Sequence, residues 1–136
     1  MNLNGKVYIF FMNRISKREV TYHLTGTDYY VSEKKSVHHI IKARGIHFTK
    51  GISERTLDLV KSYSIDKINF KDGDLIIDVG ANTGDLIPFF QKQRYIGFEP
   101  SPAEFRALEK NIKSNCKIYN LAVGDIENET VFLSHH

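Results

Sequence analysis

The first 50 residues carry short apolar segments separated by turn signals. The segments KVYIFFMN and REVTYHL are rich in β-branched and aromatic residues, which favour strands. TGTD then predicts a turn before YYVS resumes the strand pattern. Residues 1–50 are therefore predicted to form a small β-rich cap. Its stretch from Val37 to Lys50 is expected to be irregular or a short helix, because Gly45 and Gly51 interrupt regular structure.

The next predicted helix begins at Ser53, its expected N-cap. Its apolar stripe at helical spacing comprises Ile52, Thr56, Leu57, Val60 and Tyr63. The chain then changes to an alternation of strands and helices. LIIDV, residues 75–79, is a short apolar run of the kind that is buried on both faces of a parallel sheet. YIGFE, residues 95–99, is the next predicted strand.

Residues 86–93 have the length of a short crossover helix between these strands, and Pro88 is expected to delay its start. The clearest helix signal is SPAEFRALEKNIKSN, in which Ser101 is the N-cap, Pro102 the first helical position and Glu104 the partner in a capping box. KIYNLAV predicts a third strand, and TVFLS a short fourth strand that returns antiparallel. Residues 51–136 are therefore predicted to form the first half of a Rossmann-like, doubly wound α/β domain.

Composition is that of an ordinary globular domain, with 41% of the 136 residues apolar and 26% charged. No apolar segment reaches the roughly 18 residues of a membrane span. Cys116 is the only cysteine, which excludes an internal disulfide and a zinc site built on several thiols. We therefore expect no membrane partner, no metal site and a cytoplasmic location.

Charge is unevenly distributed along the chain. Residues 1–50 contain nine Lys/Arg against three Asp/Glu, a net charge of +6, whereas residues 51–136 contain ten against thirteen, a net charge of −3. A basic region can bind nucleic acid, so a non-catalytic nucleic-acid-binding module is one alternative function. The basic residues are scattered singly or in pairs, which favours a solvated face over such a module.

Three chemically distinctive segments each close a predicted strand. Asp78 precedes VGANTG, Glu99 ends the second strand, and AVGD, Ala122 to Asp125, ends the third. The carboxyl ends of parallel strands meet at one edge of the sheet, where open α/β sheets bind their ligands. The sequence therefore predicts a ligand site at this edge.

The loop after Asp78 has glycines at G-x-x-x-G spacing, not the G-x-G-x-x-G spacing of dinucleotide-binding proteins. Gly80 and Gly84 allow a sharp turn and close approach to a ligand. The Lys and Ser/Thr of a phosphate-binding P-loop are absent, and the nearby acids disfavour a ligand with several phosphates. The acids suit a ligand that carries an ammonium, a ribose diol and a sulfonium cation.

Each acid also has a simpler explanation. Pro100 favours an extended backbone at Glu99, whose carboxylate is then placed to accept both hydroxyls of a ribose. Alternatively, Glu99 only caps the helix that follows Ser101. Asp78 either contacts the ligand or hydrogen-bonds loop amides, and in both cases it orders the loop.

Three segments together resemble the class I S-adenosylmethionine-dependent methyltransferases, and the FkbM family in particular: DLIIDVGANTGDL, YIGFEPSPAEFRALEKNIKSN, and IYNLAVGD followed by TVFL. The resemblance covers residues 70–134. It implies that S-adenosylmethionine is the cofactor and that Glu99 holds its ribose hydroxyls. The methionine part would be surrounded by Asp78 and the loop residues Gly80, Ala81, Asn82 and Gly84, and the adenine would lie beside Leu121–Asp125, which includes Ala122.

The resemblance also implies a reaction, O-methylation of a hydroxyl on a sugar or another small metabolite, but it identifies no catalytic residue. Class I methyltransferases have a larger sheet, so we expect this chain to be the N-terminal portion of a longer protein. The unfinished sheet would expose an edge strand, which favours homo-oligomers. An NAD-dependent oxidoreductase is the alternative enzyme, although the glycine spacing counts against it.

Overall fold

The computed structural model describes residues 3–125, which form one antiparallel and one parallel sheet of three strands each. Short 3-10 helices span Lys42–Phe48 and Ile65–Lys67. The predicted fourth strand, TVFLS, lies outside the described residues. The helices are α1 (Leu3–Ile15), α2 (Ile52–Ser62) and α3 (Pro102–Asn111), and the strands are β1 (Val20–Thr25), β2 (Asp28–Glu33), β3 (Ser36–Ile40), β4 (Leu75–Val79), β5 (Arg94–Phe98) and β6 (Cys116–Tyr119).

The antiparallel sheet is a meander in the order β1-β2-β3. Gly26, with φ of 63°, makes the turn that TGTD predicted. One face of the sheet forms a closed core in which Tyr22 and Val31 pack against Met12 of α1 and against Phe48. The chain thus contains the small antiparallel sheet expected before residue 51, and its last strand, β3, lies in a stretch expected to be irregular or a short helix.

The prediction of a strand for KVYIFFMN is wrong, because this segment lies in helix α1. Gly5 and Met12 are buried, and Tyr8 and Ile9 pack against the antiparallel core. Positions 5, 8, 9 and 12 share one face of a helix, so burial of this stripe outweighs the strand preference of the individual residues.

The N-cap of helix α2 lies two residues before the predicted one, Ser53. Gly51 is the N-cap, and Ser53 lies in the first turn, where its backbone N–H and its hydroxyl both donate to the Glu33 carboxylate at 3.0 and 3.2 Å. A carboxylate from β2 therefore satisfies the amide at this helix start. Leu57 and Tyr63 are exposed rather than part of the buried stripe.

The parallel sheet has the order β4-β5-β6. The predicted helix over residues 86–93 is absent, and successive turns join β4 to β5 instead. The N–H groups of Gly84, Ile87 and Phe89 each donate to the carbonyl three residues earlier. Pro88 has no N–H to continue a helical ladder and disfavours helical geometry at Ile87, which explains the turns.

Among residues 3–125, only one face of the parallel sheet is covered. There Tyr95 packs with Leu108 of α3 and with Ile87 of the turns. On the opposite face Ile77 and Val79 are both 60% exposed. The prediction that LIIDV is buried on both faces is therefore wrong within residues 3–125.

Helix α3 begins at Pro102 with Ser101 as N-cap, as predicted. The predicted capping box is altered. The Ser101 hydroxyl donates to the Glu104 carboxylate, while the Ser101 backbone N–H donates to Glu99 at 2.8 Å. Glu99 thereby takes the place that Glu104 has in a standard capping box.

Candidate functional site

A cavity of about 520 Å³ lies along the outer edge of β4 and the loop that follows it. This volume falls within the roughly 300–1,000 Å³ of small-molecule sites. Four residues predicted from the sequence line it, together with Arg44 and Arg55 on segments that precede the parallel sheet. The four are Asp78, Gly80, Ala81 and Asn82.

The loop after β4 turns sharply and leaves its backbone bare. Gly80 and Asn82 have φ of 81° and 50°, and the Asn82 side-chain amide donates to the Gly80 carbonyl at 2.7 Å. A Cβ placed on Gly80 would meet no atom within 4 Å, so the backbone there faces open space. Asn tolerates the left-handed region because its short side chain bonds locally. This part of the loop is therefore preformed for close approach of a ligand.

Gly84 has a different reason to be glycine. A Cβ on this buried residue would lie 2.7 Å from the Ile87 Cδ1 and 2.9 Å from the Leu108 Cδ1. Its φ is 83°, and it lies away from the β4 cavity. Gly84 is thus favoured by its left-handed backbone, with the ends of two core side chains close by, whereas Gly80 opens towards the cavity.

Asp78 is half-buried at the tip of β4 and is held by one strong hydrogen bond. The Tyr95 hydroxyl donates to its Oδ2 at 2.5 Å. Burial raises the pKa of Asp78, and the bond from Tyr95 opposes that shift. The sequence-based alternative was that Asp78 accepts hydrogen bonds from loop amides. The partner observed is instead a tyrosine of the neighbouring strand.

Glu99 is buried, with 5% of its surface exposed, and it joins two strand tips. Its Oε2 accepts the Asn82 N–H at 2.8 Å and its Oε1 accepts the Ser101 N–H at 2.8 Å. A carboxylate has about four lone-pair positions, so these two bonds leave acceptor capacity for a ligand. Helix capping, the alternative from the sequence, is one of the two bonds observed.

The segment after β6 stays close to Glu99 but contributes nothing to the cavity wall. The Asn120 side chain donates to the Glu99 and Pro100 carbonyls at 2.8 and 3.1 Å. Ala122 and Asp125 follow as exposed residues. The structure therefore places Asp78, Gly80, Ala81 and Asn82 at the β4 cavity. Glu99 does not line the cavity and reaches it only through the Asn82 N–H, and Ala122 and Asp125 also lie outside the cavity lining.

A buried polar network behind the loop was not predicted from the sequence. Asp85 accepts bonds from the Thr83 hydroxyl at 2.6 Å and from Arg55 Nε at 2.9 Å, and its Oδ1 is 3.4 Å from His38 Nε2. Burial alone would raise the pKa of Asp85, but His38, Thr83 and Arg55 outweigh it and lower the pKa to about 2. Asp85 is therefore a buried anion that fixes the loop from behind.

Asn111, the last residue of α3, connects the same network to the antiparallel sheet. Its side-chain amide accepts the His39 N–H and donates to the His39 carbonyl, both at 2.7 Å. It also donates to the Thr83 carbonyl at 2.7 Å. One side chain thus pairs with the edge strand β3 and with the loop after β4 at once.

The sequence contains one signal for the network, an acid directly after Gly84. Its partners Arg55 and His38 lie 30 and 47 positions away along the chain, so no short sequence pattern connects them to Asp85. Within residues 3–125, no group of three or more His, Cys, Asp or Glu side chains is arranged to hold a metal ion. None of the helices in that range is long and apolar enough to cross a bilayer.

A scan against protein-family models found no match to the chain, and a search of curated proteins found none either. A search of solved structures found similarity to a crystal structure from Pyrococcus horikoshii described as a "putative transferase". The two chains are 18% identical and superpose with a TM-score of 0.44, over 87% of this chain and 46% of the other. This chain spans less than half the length of that structure, and so weak a likeness carries no argument about function.

Proposed function

We propose that the chain binds S-adenosylmethionine at the β4 cavity and serves in methyl transfer to a hydroxyl of a sugar or another small metabolite. The observation that carries the proposal is the pair of carboxylates, Asp78 and Glu99, at the tips of adjacent parallel strands around the bare turn at Gly80. This arrangement suits a cationic ligand that carries a diol.

Each group has a separate task in this proposal. The Asp78 carboxylate, fixed by Tyr95, pairs with the ammonium of the methionine part. Glu99 does not line the cavity itself but lies next to its Asn82 wall, where it accepts the ribose hydroxyls with the lone pairs that its two amide bonds leave free. Gly80 lets the ligand touch the backbone.

S-adenosylmethionine, when bound, would supply a methyl group on a sulfonium: a new bond from the acceptor oxygen to the methyl carbon replaces the carbon–sulfur bond, and S-adenosylhomocysteine leaves as a neutral thioether. The protein's contribution is to align the acceptor and to take its proton. The acceptor class is supported by the resemblance of the sequence to FkbM-type methyltransferases, and the described residues assign no general base.

Replacing Glu99 tests the proposal directly. Glu99→Gln keeps the shape but removes the charge, so we expect S-adenosylmethionine to bind roughly ten- to a hundred-fold more weakly, since hydrogen bonds to a charged acceptor contribute about 1.5–3 kcal/mol. Titration calorimetry measures the affinity, and Glu109→Gln on the exposed side of α3 is the matched control. Equal affinity in wild type and Glu99→Gln would remove Glu99 from the site.

A second titration separates the proposal from its enzymatic alternative. NAD also carries ribose diols, but the loop after β4 has the G-x-x-x-G spacing and not the G-x-G-x-x-G spacing that brings a backbone up to a pyrophosphate. We expect calorimetry to show binding of S-adenosylmethionine and little binding of NAD. A preference for NAD would overturn the choice of cofactor.

A further inference from the structure

Two arginines line the β4 cavity. Arg44 belongs to the 3-10 helix Lys42–Phe48 and Arg55 to α2, so both come from outside the parallel sheet. Both line the same cavity as Asp78 and Asn82. The segment before the sheet therefore supplies part of the site.

Arg55 is held in place but keeps most of its donors. Its Nε donates to Asp85 Oδ2 at 2.9 Å, and Asp85 is in turn fixed by Thr83 and His38. A guanidinium has five N–H donors, and within residues 3–125 only this one is used. The terminal nitrogens of Arg55 are therefore free to bind a ligand.

Arg44 is held more loosely. Its Nε lies 3.8 Å from Glu104 Oε1, which is an ion pair but too long for a hydrogen bond. The side chain is 33% exposed, whereas that of Arg55 is 18% exposed. The described part of the chain thus leaves the Arg44 fork available for a planar anion.

Both positive charges also act on His47, which lies near the two arginines. Burial lowers the pKa of His47, and Arg55 and Arg44 lower it further. Asp85 and Glu104 balance the two positive charges. Recognition at this wall therefore depends on directed N–H donors more than on net charge.

We infer that Arg44 and Arg55 form a carboxylate-binding subsite in the β4 cavity, facing the ligand that lies on the Gly80 turn. A fork of N–H donors matches a carboxylate in geometry as well as charge. The carboxylate belongs either to the amino-acid part of S-adenosylmethionine or to an acidic acceptor. The first source rests on the proposed function, and the second requires only the cavity.

Matched pairs of probes distinguish the two sources. S-adenosylhomocysteine and 5′-methylthioadenosine share the adenosine, but only the first has the carboxylate. Glucuronate and glucose differ in the same way among sugars. Calorimetric titration of each probe onto wild type, Arg44→Gln, Arg55→Lys and the control Arg14→Gln, an exposed residue of α1, gives the comparison. The sugars are titrated with and without saturating S-adenosylhomocysteine, and thermal unfolding confirms that each variant is folded.

We expect Arg44→Gln to weaken the binding of S-adenosylhomocysteine roughly ten-fold or more, which is the loss typical of a hydrogen bond to a charged group. The affinity for 5′-methylthioadenosine should not change, and Arg14→Gln should bind both probes like wild type. Arg55→Lys, which keeps the charge and loses the fork, should act in the same direction. Loss of the preference for glucuronate over glucose would instead assign the subsite to the acceptor. Equal weakening within each pair, or no change in either pair, would overturn the inference. Failure of wild type to bind S-adenosylhomocysteine would refute the proposed cofactor, and the sugar pair would then decide the subsite alone.

Discussion

The two sheets of this chain are built from similar residues but are covered in different ways. Val31 in the centre of the antiparallel sheet is 0% exposed, whereas Val79 at the end of β4 is 60% exposed. The antiparallel meander is closed by α1, which precedes it directly in the chain. The parallel sheet has α3 and the turns on one face, and among the described residues its other face stays open.

This difference shows that an apolar strand does not by itself determine how many of its faces are buried. A meander places neighbouring strands side by side and needs one adjacent helix to close its core. A parallel sheet depends on crossover segments for both faces, and here the first crossover consists of turns.

The largest effect is expected at the contact between the sheets. Asp85→Ala removes a buried carboxylate and leaves Arg55 and His38 without their shared partner, so we expect a loss of about 3–5 kcal/mol in the free energy of unfolding. Urea denaturation measures this loss, and the exposed Asp58→Ala on α2 is the control. A loss below about 1 kcal/mol in the free energy of unfolding would show that the Asp85 network does not hold the two sheets together.

The same carboxylate predicts a pH dependence. Its pKa of about 2 when folded lies below the ordinary value, so Asp85 contributes stability above the unfolded pKa of about 4 and loses it as pH falls through 2. We expect the stability difference between wild type and Asp85→Asn to shrink by about 2 kcal/mol between pH 5 and pH 2. Chemical denaturation at several pH values measures the difference. A pH-independent difference would contradict the lowered pKa.

A pair of identical substitutions compares the sheets directly. Val31→Ala creates a cavity in a closed core and should cost about 2 kcal/mol of stability. Val79→Ala removes methyl groups that are already largely exposed, and its cost should stay within about 0.5 kcal/mol. Thermal and urea unfolding of both variants give the comparison. Similar costs would mean that the face bearing Val79 is covered in solution.

The smallest effect on folding is expected on the open face itself. Ile77→Lys places a charge among exposed apolar side chains and should change stability by less than about 0.5 kcal/mol. It should reduce self-association, because exposed apolar faces and free strand edges favour contact between copies. Light scattering over a concentration series measures self-association, and Leu57→Lys, at an exposed position of α2, is the control. A wild-type chain that stays monomeric would contradict the expected self-association.

The sequence predicted best where local signals and packing agree. The positions of β4, β5 and α3 follow from apolar runs, from Pro102 and from the turns between them. Helix α1 was missed because the strand preference of its aromatic and β-branched residues conceals a buried stripe at helical spacing. The helix expected over residues 86–93 does not form, because Pro88 and the left-handed backbone of Gly84 favour turns.

The candidate site divides in a similar way. Asp78, Gly80 and Glu99 could be found from the sequence, because strand tips and glycine spacing are local features. Arg44 and Arg55 could not be predicted from the sequence, since their place at the β4 cavity depends on how the segments before β4 pack in the folded chain. No pattern within a short window contains that information.

Asn111 has a consequence for how the molecule unfolds. Its amide pairs with the His39 backbone in the antiparallel sheet and with the Thr83 carbonyl in the loop after β4. Opening either unit alone would leave buried polar groups of the other without partners, which is costly in free energy. The two units should therefore exchange their protected amide hydrogens together, as one cooperative unit, even though each has a hydrophobic core of its own.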